Sequence, residues 1–344
     1  MSATLVTGAN GFIAGHIVKE LLQLGINVVG SVRSFNKAAN LISVFPNEFK
    51  SGQLKFVEVD FNNKQEIESI FTKFPEINNV IHPAQNFGRN ATTPEEYDKE
   101  IIQYTKNSIE SIVDIVEKSS NKIERFVYFS SSIAVRGPNY DHEYVFTEQD
   151  FANLSHEDAI QSSLNAYTYA KVHAEKFILN QKSLKGIEYK IIVPPTVIGP
   201  PLYIWDNNES FDANNKHFYD VFKGKEPKRG VEWYADVRSI AKGAVKAADK
   251  RSTPSIENNR YVIVDGTENY YDSIPILLEN FQNFNPGNWD ELNFKGKTLN
   301  EDRKLAKRDL SISEKELGLK QIQYETTVID TIKLIIKLDE QVSK

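Results

Sequence analysis

The stretch that decides the fold of this chain is Thr4-Leu-Val-Thr-Gly-Ala-Asn-Gly-Phe-Ile-Ala-Gly-His16. Its apolar residues stop at Gly8 and an amphipathic helical pattern begins at Phe12, which predicts a strand, a tight turn and a helix N-terminus. Gly8 can adopt backbone angles closed to residues with a Cβ, and Gly11 lets the main chain approach a ligand closely. Ala14, at the third small position, allows the helix to pack closely on the strand. This arrangement is typical of a turn that binds the pyrophosphate of a dinucleotide.

The bulk composition limits the other functions open to the chain. It has 344 residues, of which 26% are charged and 40% hydrophobic, a balance that argues against disorder. With a formal net charge of −6 and no long run of Lys or Arg, no nucleic-acid-binding surface is expected. The lack of cysteine excludes disulfides and thiol catalysis, and the six histidines form no metal-ligand motif, so no metal is expected. No signal peptide or bilayer-spanning apolar stretch is visible, so we expect a cytoplasmic protein without membrane contact.

Short apolar strands alternate with helical patterns through the first half of the chain. We predict strands near residues 4–7, 26–32, 54–59, 79–82, 124–130 and 188–193, with the main helices at 12–24, 64–73, 95–118 and 162–183. Strands and helices that alternate in this way form a parallel sheet covered on both faces. The sequence therefore predicts an α/β fold, a Rossmann-type doubly wound parallel sheet.

The alternation weakens after residue 195, which predicts a second region. Residues 1–195 are expected to form the dinucleotide-binding Rossmann domain, and residues 196–344 mainly a smaller substrate-binding region. A helical pattern at 237–248 and a strand pattern at 260–265 suggest that residues 233–265 return to the first domain. Helical spacing of apolar residues over 325–340 predicts a packed terminal helix.

The end of the second predicted strand distinguishes between the two nicotinamide cofactors. NAD generally requires an acidic residue there for its ribose hydroxyl, whereas the 2′-phosphate of NADP requires positive charge. This strand ends in Arg33 and Ser34 with Lys37 one turn on, and it carries no Asp or Glu. An Arg fork and a hydroxyl suit a phosphate, so we predict NADPH. Asp60, at the end of the third strand, could accept a hydrogen bond from the adenine amino group.

A tyrosine and a lysine four positions apart supply the candidate acid–base chemistry. Tyr167 and Lys171 lie on one face of a predicted helix. A tyrosine ordinarily has a pKa near 10, and a neighbouring ammonium group favours the phenolate. We therefore expect Lys171 to lower the pKa of Tyr167 and to prepare it for proton exchange with a substrate oxygen.

Three serines follow the fifth predicted strand, Ser130-Ser131-Ser132. A hydroxyl at this carboxyl end could bind a substrate oxygen and orient Tyr167. The resemblance of the chain to the extended short-chain dehydrogenases/reductases leaves two of these serines open, because counting forward from Arg125 implies Ser131 and counting back from Val135 and Gly137 implies Ser132. We assign the catalytic role to Ser131, and Ser132 is then implied to lie on the substrate pocket. Together with the glycine turn, these residues suit hydride transfer coupled to proton transfer.

The chain resembles the extended short-chain dehydrogenases/reductases over nearly its whole length. Four parts of the chain carry this likeness: Thr7–Ala14 at the phosphate turn, Asn107 in the long predicted helix 95–118, Val193–Pro200 beside the nicotinamide, and Trp233–Ala241 near the C-terminus. Within that family, Gly30–Ser34, Lys37–Leu41 and Asp236-Val-Arg238 are most similar to the fungal methylglyoxal and carbonyl reductases, relatives of plant dihydroflavonol reductases. The resemblance implies NADPH-dependent reduction of aldehydes or ketones to alcohols.

The resemblance also implies roles for individual residues. Tyr167 would be the general acid, Lys171 would hold the nicotinamide ribose, and Asn107 would support a proton relay or the helix geometry. The implied cofactor-binding residues are Gly8, Asn10, Gly11, Phe12, Ile13, Arg33, Ser34, Lys37, Asp60, Phe61, Pro83, Ala84, Tyr167, Lys171, Pro194 and Val197.

The chain departs from the reductases in the segment that lines the cofactor and the substrate in that family. Residues 82–87 read His-Pro-Ala-Gln-Asn-Phe where those relatives usually have His-Thr-Ala-Ser-Pro-Phe. The candidate pocket residues are Phe87, Ser132, Tyr203, Trp205 and Trp233. We expect His82 to be structural and His16 to lie on the surface of the first helix.

Other functions remain open from the sequence alone. A nucleotide-sugar epimerase or a hydroxysteroid dehydrogenase of the same superfamily is one alternative, and a non-catalytic NADP-sensing regulator is another. Arg33 argues against the epimerase, and the Tyr167/Lys171 pair argues against the sensor. The expected partner is a small-molecule carbonyl substrate, and the protein is expected to be a monomer or a homodimer.

Overall fold

The computed structural model describes residues 2–61, 63–85, 90–203, 213–225, 227, 233–251, 257–284 and 306–342. Two predicted pocket residues, Phe87 and Trp205, lie outside these ranges. The described strands are β1 (Ala3–Val6), β2 (Asn27–Val32), β3 (Leu54–Glu58), β4 (Ile77–His82), β5 (Arg125–Phe129), β6 (Val145–Phe146), β7 (Glu188–Val193), β8 (Thr196–Ile198), β9 (Trp233–Asp236), β10 (Arg260–Val262), β11 (Gly266–Thr267) and β12 (Lys307–Arg308).

The helices that the structure describes follow the predicted pattern in the first half of the chain. They are α1 (Phe12–Gln23), α2 (Ala39–Val44), α3 (Pro46–Ser51), α4 (Lys64–Lys73), α5 (Pro94–Glu96), α6 (Tyr104–Lys118), α7 (Ile133–Arg136), α8 (His156–Ala159), α9 (Ser163–Leu179), α10 (Ala213–Phe222), α11 (Val237–Ala248), α12 (Ser273–Asn280), α13 (Ser311–Leu317) and α14 (Tyr324–Val342). A π-helix, Tyr97–Gln103, joins α5 to α6, and 3₁₀ turns cover Phe35–Ala38 and Tyr270–Asp272.

Seven strands form one parallel sheet in the order β3-β2-β1-β4-β5-β7-β10. The chain runs outward from β1 to β3 and then returns to the other side of β1 at β4. This reversal leaves a crevice at the carboxyl ends of β1 and β4, where such sheets bind their ligands. The predicted fold class is confirmed.

Side chains from the two faces of this sheet enter different core clusters because successive residues of a strand point to opposite faces. Leu5 and Val80 pack in the cluster that includes residues of α4, α6 and α9. Val6 and Ile81, the next residues along, pack in the cluster that includes residues of α1 and α11. Both faces are therefore buried, which explains why the strands are apolar almost throughout.

The C-terminal half builds smaller units against this sheet. β8, β9 and β11 form a three-stranded sheet, and β6 pairs with β12. Helices α10, α12 and α14 share a third core cluster, in which Val328 and Ile332 of the predicted terminal helix are fully buried. Residues 233–265 contribute one strand to each sheet, because β9 lies in the three-stranded sheet and β10 pairs with β7 in the seven-stranded one.

Asp236 fixes the start of α11. It is the N-cap residue, and its Oδ1 accepts from the backbone N–H of Arg238 at 2.8 Å. Its Oδ2 accepts from the hydroxyl of Thr327 at 2.7 Å, and Asp330 pairs with Arg238 at 2.6 Å. The Asp236-Val-Arg238 segment therefore links α11 to the terminal helix α14. Along the described part of the chain, no helix has the length and apolar character needed to cross a membrane.

Candidate active site

The glycine turn between β1 and α1 has the conformation that the sequence predicts. Gly8 has φ +60°, and a Cβ at that position would come within 3.2 Å of the Cβ of Ala84. A Cβ at Gly11 would lie 3.2 Å from the carbonyl oxygen of Gly8. Gly11 is the N-cap of α1, no side chain caps the amides of the first helical turn, and that turn contains no acidic residue. The first turn of α1 therefore offers backbone N–H donors and the positive end of a helix dipole, which fit a pyrophosphate.

Two side chains hold this turn against its neighbours. The hydroxyl of Ser31 in β2 accepts from the backbone N–H of Gly8 at 3.0 Å. Thr7 Oγ1 lies 2.9 Å from Nδ1 of His82 and accepts from the backbone N–H of Ala84 at 3.2 Å. Burial, reinforced by the nearby charge of Lys171, lowers the pKa of His82 to about 3. A neutral His82 therefore helps to attach the segment after β4 to the glycine turn, a structural position.

The candidate 2′-phosphate residues lie at the end of β2. Arg33 and Lys37 are exposed, and Ser34 is half-buried in an extended conformation before the 3₁₀ turn. The neighbouring strand also places an acid here, because Glu58 is paired with Val32 and accepts from the backbone N–H of Phe35 at 3.0 Å. The sequence did not reveal Glu58, because strand register decides which residue lies beside the end of β2.

Four other predicted cofactor residues lie just beyond β3, just beyond β7 and in β8. Asp60 is exposed just beyond β3, and the ring of Phe61 meets His82 edge-on with 5.5 Å between centroids. The carbonyl oxygen of Pro194 accepts from the backbone N–H of Ser132 at 2.8 Å. Val197 is buried in the core. The segment after β7 therefore lies directly beside the serines after β5.

The serines differ in their partners. The side chains of Ser131 and Tyr167 are joined by a hydrogen bond. Ser132 is buried and precedes the short helix α7, and the hydroxyl of Ser130 donates to Glu175. The structure thus brings Ser131, rather than Ser132, into contact with the candidate acid.

Lys171 is buried one turn of α9 beyond Tyr167, and the N-cap Ser162 begins this helix by accepting from Asn165 at 3.2 Å. Its Nζ lies 5.6 Å from the centroid of the Tyr167 ring. It donates to the hydroxyl of Tyr128 at 3.1 Å and to the carbonyl oxygen of Phe129 at 2.8 Å. Burial lowers the pKa of Lys171 well below its ordinary value, while the charge of Glu175 opposes that shift.

The pKa of Tyr167 moves in the direction opposite to our expectation. Burial raises it to about 12, and the hydrogen bond from Ser131 offsets only part of that effect. The reason is that desolvation penalises the phenolate, and the spacing of Tyr167 and Lys171 in the sequence carries no information about desolvation. A raised pKa keeps Tyr167 protonated at neutral pH, which is the form that a proton donor requires.

The side chain of Asn107 is exposed on α6, and its support of a proton relay or of the helix geometry stays a prediction. The π-helical segment Tyr97–Gln103 precedes it, and a π-helix bonds each residue to the fifth one on rather than the fourth. The extra residue changes which face the following positions present, and the helical pattern in the sequence gave no sign of it.

Gln85 is a further candidate that sequence reasoning missed, although it lies in the segment where the chain departs from the reductases. Its Nε2 donates to the carbonyl oxygen of Phe129 at 2.6 Å, the same oxygen that binds Lys171. Gln85 thereby ties the segment after β4 to the end of β5 beside the lysine.

Tyr203 and His16 lie at the glycine turn and α1. The hydroxyl of Tyr203 donates to the carbonyl oxygen of Asn10 at 2.7 Å. His16 was expected on the surface of α1, but it is 3% exposed and its Nε2 donates to the carbonyl oxygen of Pro200 at 2.9 Å. The expectation for His16 was wrong because the segment 200–203 crosses the helix and covers it. Tyr203 therefore supports the turn from the segment after β8.

Trp233 has no exposed surface, and its indole N–H donates to the carbonyl oxygen of Ala306 at 2.9 Å. Its ring packs edge-on against Phe146, with 6.2 Å between centroids. Trp233, which was expected on the substrate pocket, therefore lies in the core between β6 and the residue that precedes β12. Across the described ranges, no group of three or more His, Asp or Glu side chains is arranged to hold a metal.

Comparisons with known proteins agree with this architecture. The model of the NAD dependent epimerase/dehydratase family matches residues 4–222. The NADPH-dependent methylglyoxal reductase Gre2 of Saccharomyces cerevisiae is 28% identical over 356 residues, covering 99% of this chain and 100% of the relative. The crystal structure of yeast methylglyoxal/isovaleraldehyde reductase Gre2 complexed with NADPH superposes with a TM-score of 0.82 at 26% identity, covering 99% of this chain and 100% of that one.

A UDP-glucose 4-epimerase from Thermotoga maritima shares the fold at a lower TM-score of 0.67 and 17% identity, covering 97% of this chain and 99% of that one. The glycine turn, the parallel sheet and the family match together cover well over half of the sequence. The chain therefore belongs to the NAD-dependent epimerase/dehydratase family, the extended short-chain dehydrogenases/reductases.

Proposed function

We propose that this protein reduces aldehydes or ketones to alcohols with NADPH. The observation that carries this proposal is the contact of Ser131 with Tyr167, one helical turn from the buried Lys171. This group lies at the carboxyl end of β5, on the same edge of the sheet as the glycine turn. The relatives named as NADPH-dependent methylglyoxal reductases support the same chemistry.

The residues for NADPH are the glycine turn for the pyrophosphate and Arg33, Ser34 and Lys37 for the 2′-phosphate. Such a cofactor supplies a hydride to the carbonyl carbon when it is bound. Glu58 adds a carboxylate beside these residues, so the binding of a 2′-phosphate there depends on the positive charges of Arg33 and Lys37. We include Lys171 as the residue that holds the nicotinamide ribose.

The chain's own groups manage the proton and the charge. The hydroxyl of Ser131 donates a hydrogen bond to the carbonyl oxygen and polarises it, while Tyr167 gives that oxygen its proton. The positive charge of Lys171 stabilises the phenolate that Tyr167 becomes. A pKa of about 12 still leaves the phenol a stronger acid than the product alcohol, so the proton transfer runs toward the alcohol.

The substrate would be a small carbonyl compound, because methylglyoxal and isovaleraldehyde are named for the yeast relative. Gln85 and Ser132 are the described residues at which this chain's preference could differ. We expect the enzyme to act in the cytoplasm as a monomer or a homodimer.

The test is an assay of NADPH oxidation, followed by the loss of its near-ultraviolet absorbance. The carbonyl panel contains methylglyoxal, branched aliphatic aldehydes, aryl ketones and ketoesters, and NADH is run in parallel. We expect turnover with NADPH on at least one class and weaker turnover with NADH. Tight NADPH binding without turnover on any compound would contradict the proposed reaction and favour the sensor alternative.

A further inference from the structure

A buried carboxylate lies behind the catalytic group and has no part in the mechanism above. Glu175 on α9 has no exposed surface. One of its oxygens accepts from the hydroxyl of Ser130, and the other pairs with Nε of Arg260 in β10. The carboxylate thus connects three elements: the end of β5, the helix α9 that carries Tyr167 and Lys171, and the edge strand β10 of the large sheet.

The partner of this carboxylate is itself held firmly. Nη1 of Arg260 donates to the carbonyl oxygens of Glu148 and Asp150, at 2.7 Å each. The guanidinium carbon lies 4.0 Å from the centroid of the Phe151 ring. Arg260 therefore has little freedom to move, and it fixes the position of Glu175.

Stability alone does not account for such a pair. Removing two charges from water is unfavourable, and well-packed apolar residues of similar volume often stabilise a protein as well or better. A buried ion pair is better explained when its charge or its geometry serves the neighbouring groups. Here the neighbours are Ser131, next to Ser130 in sequence, and Lys171, one turn from Glu175 on α9.

We propose that Glu175 is a positioning residue that holds the carboxyl end of β5 against α9 and keeps Lys171 charged. This inference deepens the proposed function and rests on it. Through Ser130, the carboxylate sets the place of the Ser131 hydroxyl that contacts Tyr167. Through its charge, it counteracts the burial of Lys171.

Several titratable groups face Lys171 and define the electrostatics to be tested. Tyr128 on β5 contacts its Nζ at 3.1 Å, and Tyr167 on α9 presents its ring at 5.6 Å. The charge of Lys171 acts on His82 on β4, which burial keeps neutral. Glu175 supplies the negative charge that acts to keep the lysine protonated.

The first variant is Glu175→Gln, which keeps the shape of the side chain and removes its charge. We expect kcat to fall about 10-fold or more, since a misplacement of about 1 Å can cost ~10²-fold. The alkaline limb of the kcat profile should move to lower pH by about one unit, because loss of an opposite charge has effects of that size. The KM for the carbonyl substrate should change much less than kcat.

Glu188→Gln is the matched control. Glu188 pairs with Nε of the buried Arg125 at 3.0 Å, and the two residues are paired at the amino ends of β7 and β5. This variant also breaks an ion pair of a buried arginine, but at the amino ends of the strands, away from the catalytic residues at their carboxyl ends. It should keep the wild-type kcat and pH profile. Equal effects of Glu175→Gln and Glu188→Gln on both would overturn the inference and leave a structural role only.

Ser130→Ala decides the question if Glu175→Gln does not fold. It deletes the hydroxyl that binds the carboxylate and leaves the ion pair with Arg260 intact. We expect kcat to fall while the alkaline limb keeps its place, because the charge beside Lys171 remains. A wild-type kcat in folded Ser130→Ala would overturn the role of Glu175 in placing Ser131. An unshifted alkaline limb in folded Glu175→Gln would overturn its role in keeping Lys171 charged.

A binding measurement separates this inference from the proposed reaction. The NADPH dissociation constant is measured by fluorescence across pH for the wild type, Glu175→Gln and Glu188→Gln, without any carbonyl compound. As the pH rises, NADPH affinity should fall when Lys171 loses its proton. We expect this fall to begin at a lower pH in Glu175→Gln than in the wild type, and at the wild-type pH in Glu188→Gln. If the wild type binds NADPH and reduces nothing, the proposed reaction fails, while these binding curves still decide whether Glu175 controls the charge of Lys171.

Discussion

Tyr167 shows how one residue's chemistry depends on surroundings that its sequence position does not describe. Its hydroxyl contacts Ser131, a cation lies beyond its ring, and burial raises its pKa to about 12. The residue is therefore a neutral phenol over the physiological range. Such a group can donate a proton in a reduction, and its conjugate base needs the nearby ammonium for stabilisation.

Tyr167→Phe removes the proton donor and keeps the packing of the ring. We expect kcat to fall about 10²- to 10⁴-fold, the usual contribution of a general acid. NADPH affinity should stay close to that of the wild type, as measured by fluorescence titration. The control is Tyr169→Phe, because the Tyr169 ring packs on His173 at 4.1 Å. Retained turnover in Tyr167→Phe would remove Tyr167 from the mechanism.

Arg33→Ala tests the choice of cofactor at the end of β2. Loss of a charge-assisted bond to a phosphate costs about 1.5–3 kcal/mol, so the NADPH dissociation constant should rise about 10- to 100-fold. NADH affinity should change little, because NADH has no 2′-phosphate. Lys118→Ala, an exposed cation at the end of α6, serves as the control for general charge effects. An equal loss for both cofactors would show that Arg33 does not read the phosphate.

At the scale of elements, the site is assembled from segments that follow different strands at one edge of the sheet. The segment after β4 is tied to β1 through Thr7 and to β5 through Gln85. The segment after β8 crosses α1 and binds the glycine turn through Tyr203. These segments lie outside the sheet and lack its backbone hydrogen bonds, so bonds from side chains hold them in place.

Tyr203→Phe tests whether this tyrosine supports the turn or lines the substrate pocket. The variant loses one hydrogen bond to Asn10, which contributes about 1 kcal/mol to stability. We expect weaker NADPH binding and a slightly lower urea midpoint, with the KM for the carbonyl compound unchanged. The opposite result, a changed KM with normal NADPH affinity, would return Tyr203 to the pocket wall.

At the scale of the whole molecule, two neutral histidines make the folded state sensitive to acid. Burial lowers the pKa of His16 to about 4 and that of His82 to about 3. An unfolded chain protonates both near pH 6.5. Below that pH the unfolded state therefore binds more protons than the folded state, and the free energy of unfolding falls as the pH falls.

His16→Gln measures one part of this acid sensitivity. Its amide can still donate to the carbonyl oxygen of Pro200, but it cannot titrate. Between pH 7.5 and pH 5 the wild type should lose about 2 kcal/mol more of its unfolding free energy than the variant, at about 1.4 kcal/mol per pKa unit. Urea denaturation at the two pH values gives the difference.

The sequence predicted the fold class and the main strands and helices because these depend on local patterns. The strand–turn–helix at Gly8 rests on backbone freedom, and the start of α11 rests on the side chain of Asp236 before Val237. Both are properties of neighbouring residues. The position of Tyr167 one helical turn from Lys171 is likewise local, because it follows from the pitch of a helix.

The sequence by itself therefore determined the glycine turn, the alternation of strands and helices, and the tyrosine–lysine spacing. Only the tertiary structure decided which distant residues meet, such as Gln85 with Phe129 and Glu175 with Arg260. It also decided the direction of the Tyr167 pKa and the burial of His16. The physical reason is that local structure depends on spacing along the chain, whereas desolvation and long-range contacts depend on strand order, register and the paths of loops that fold back over the helices.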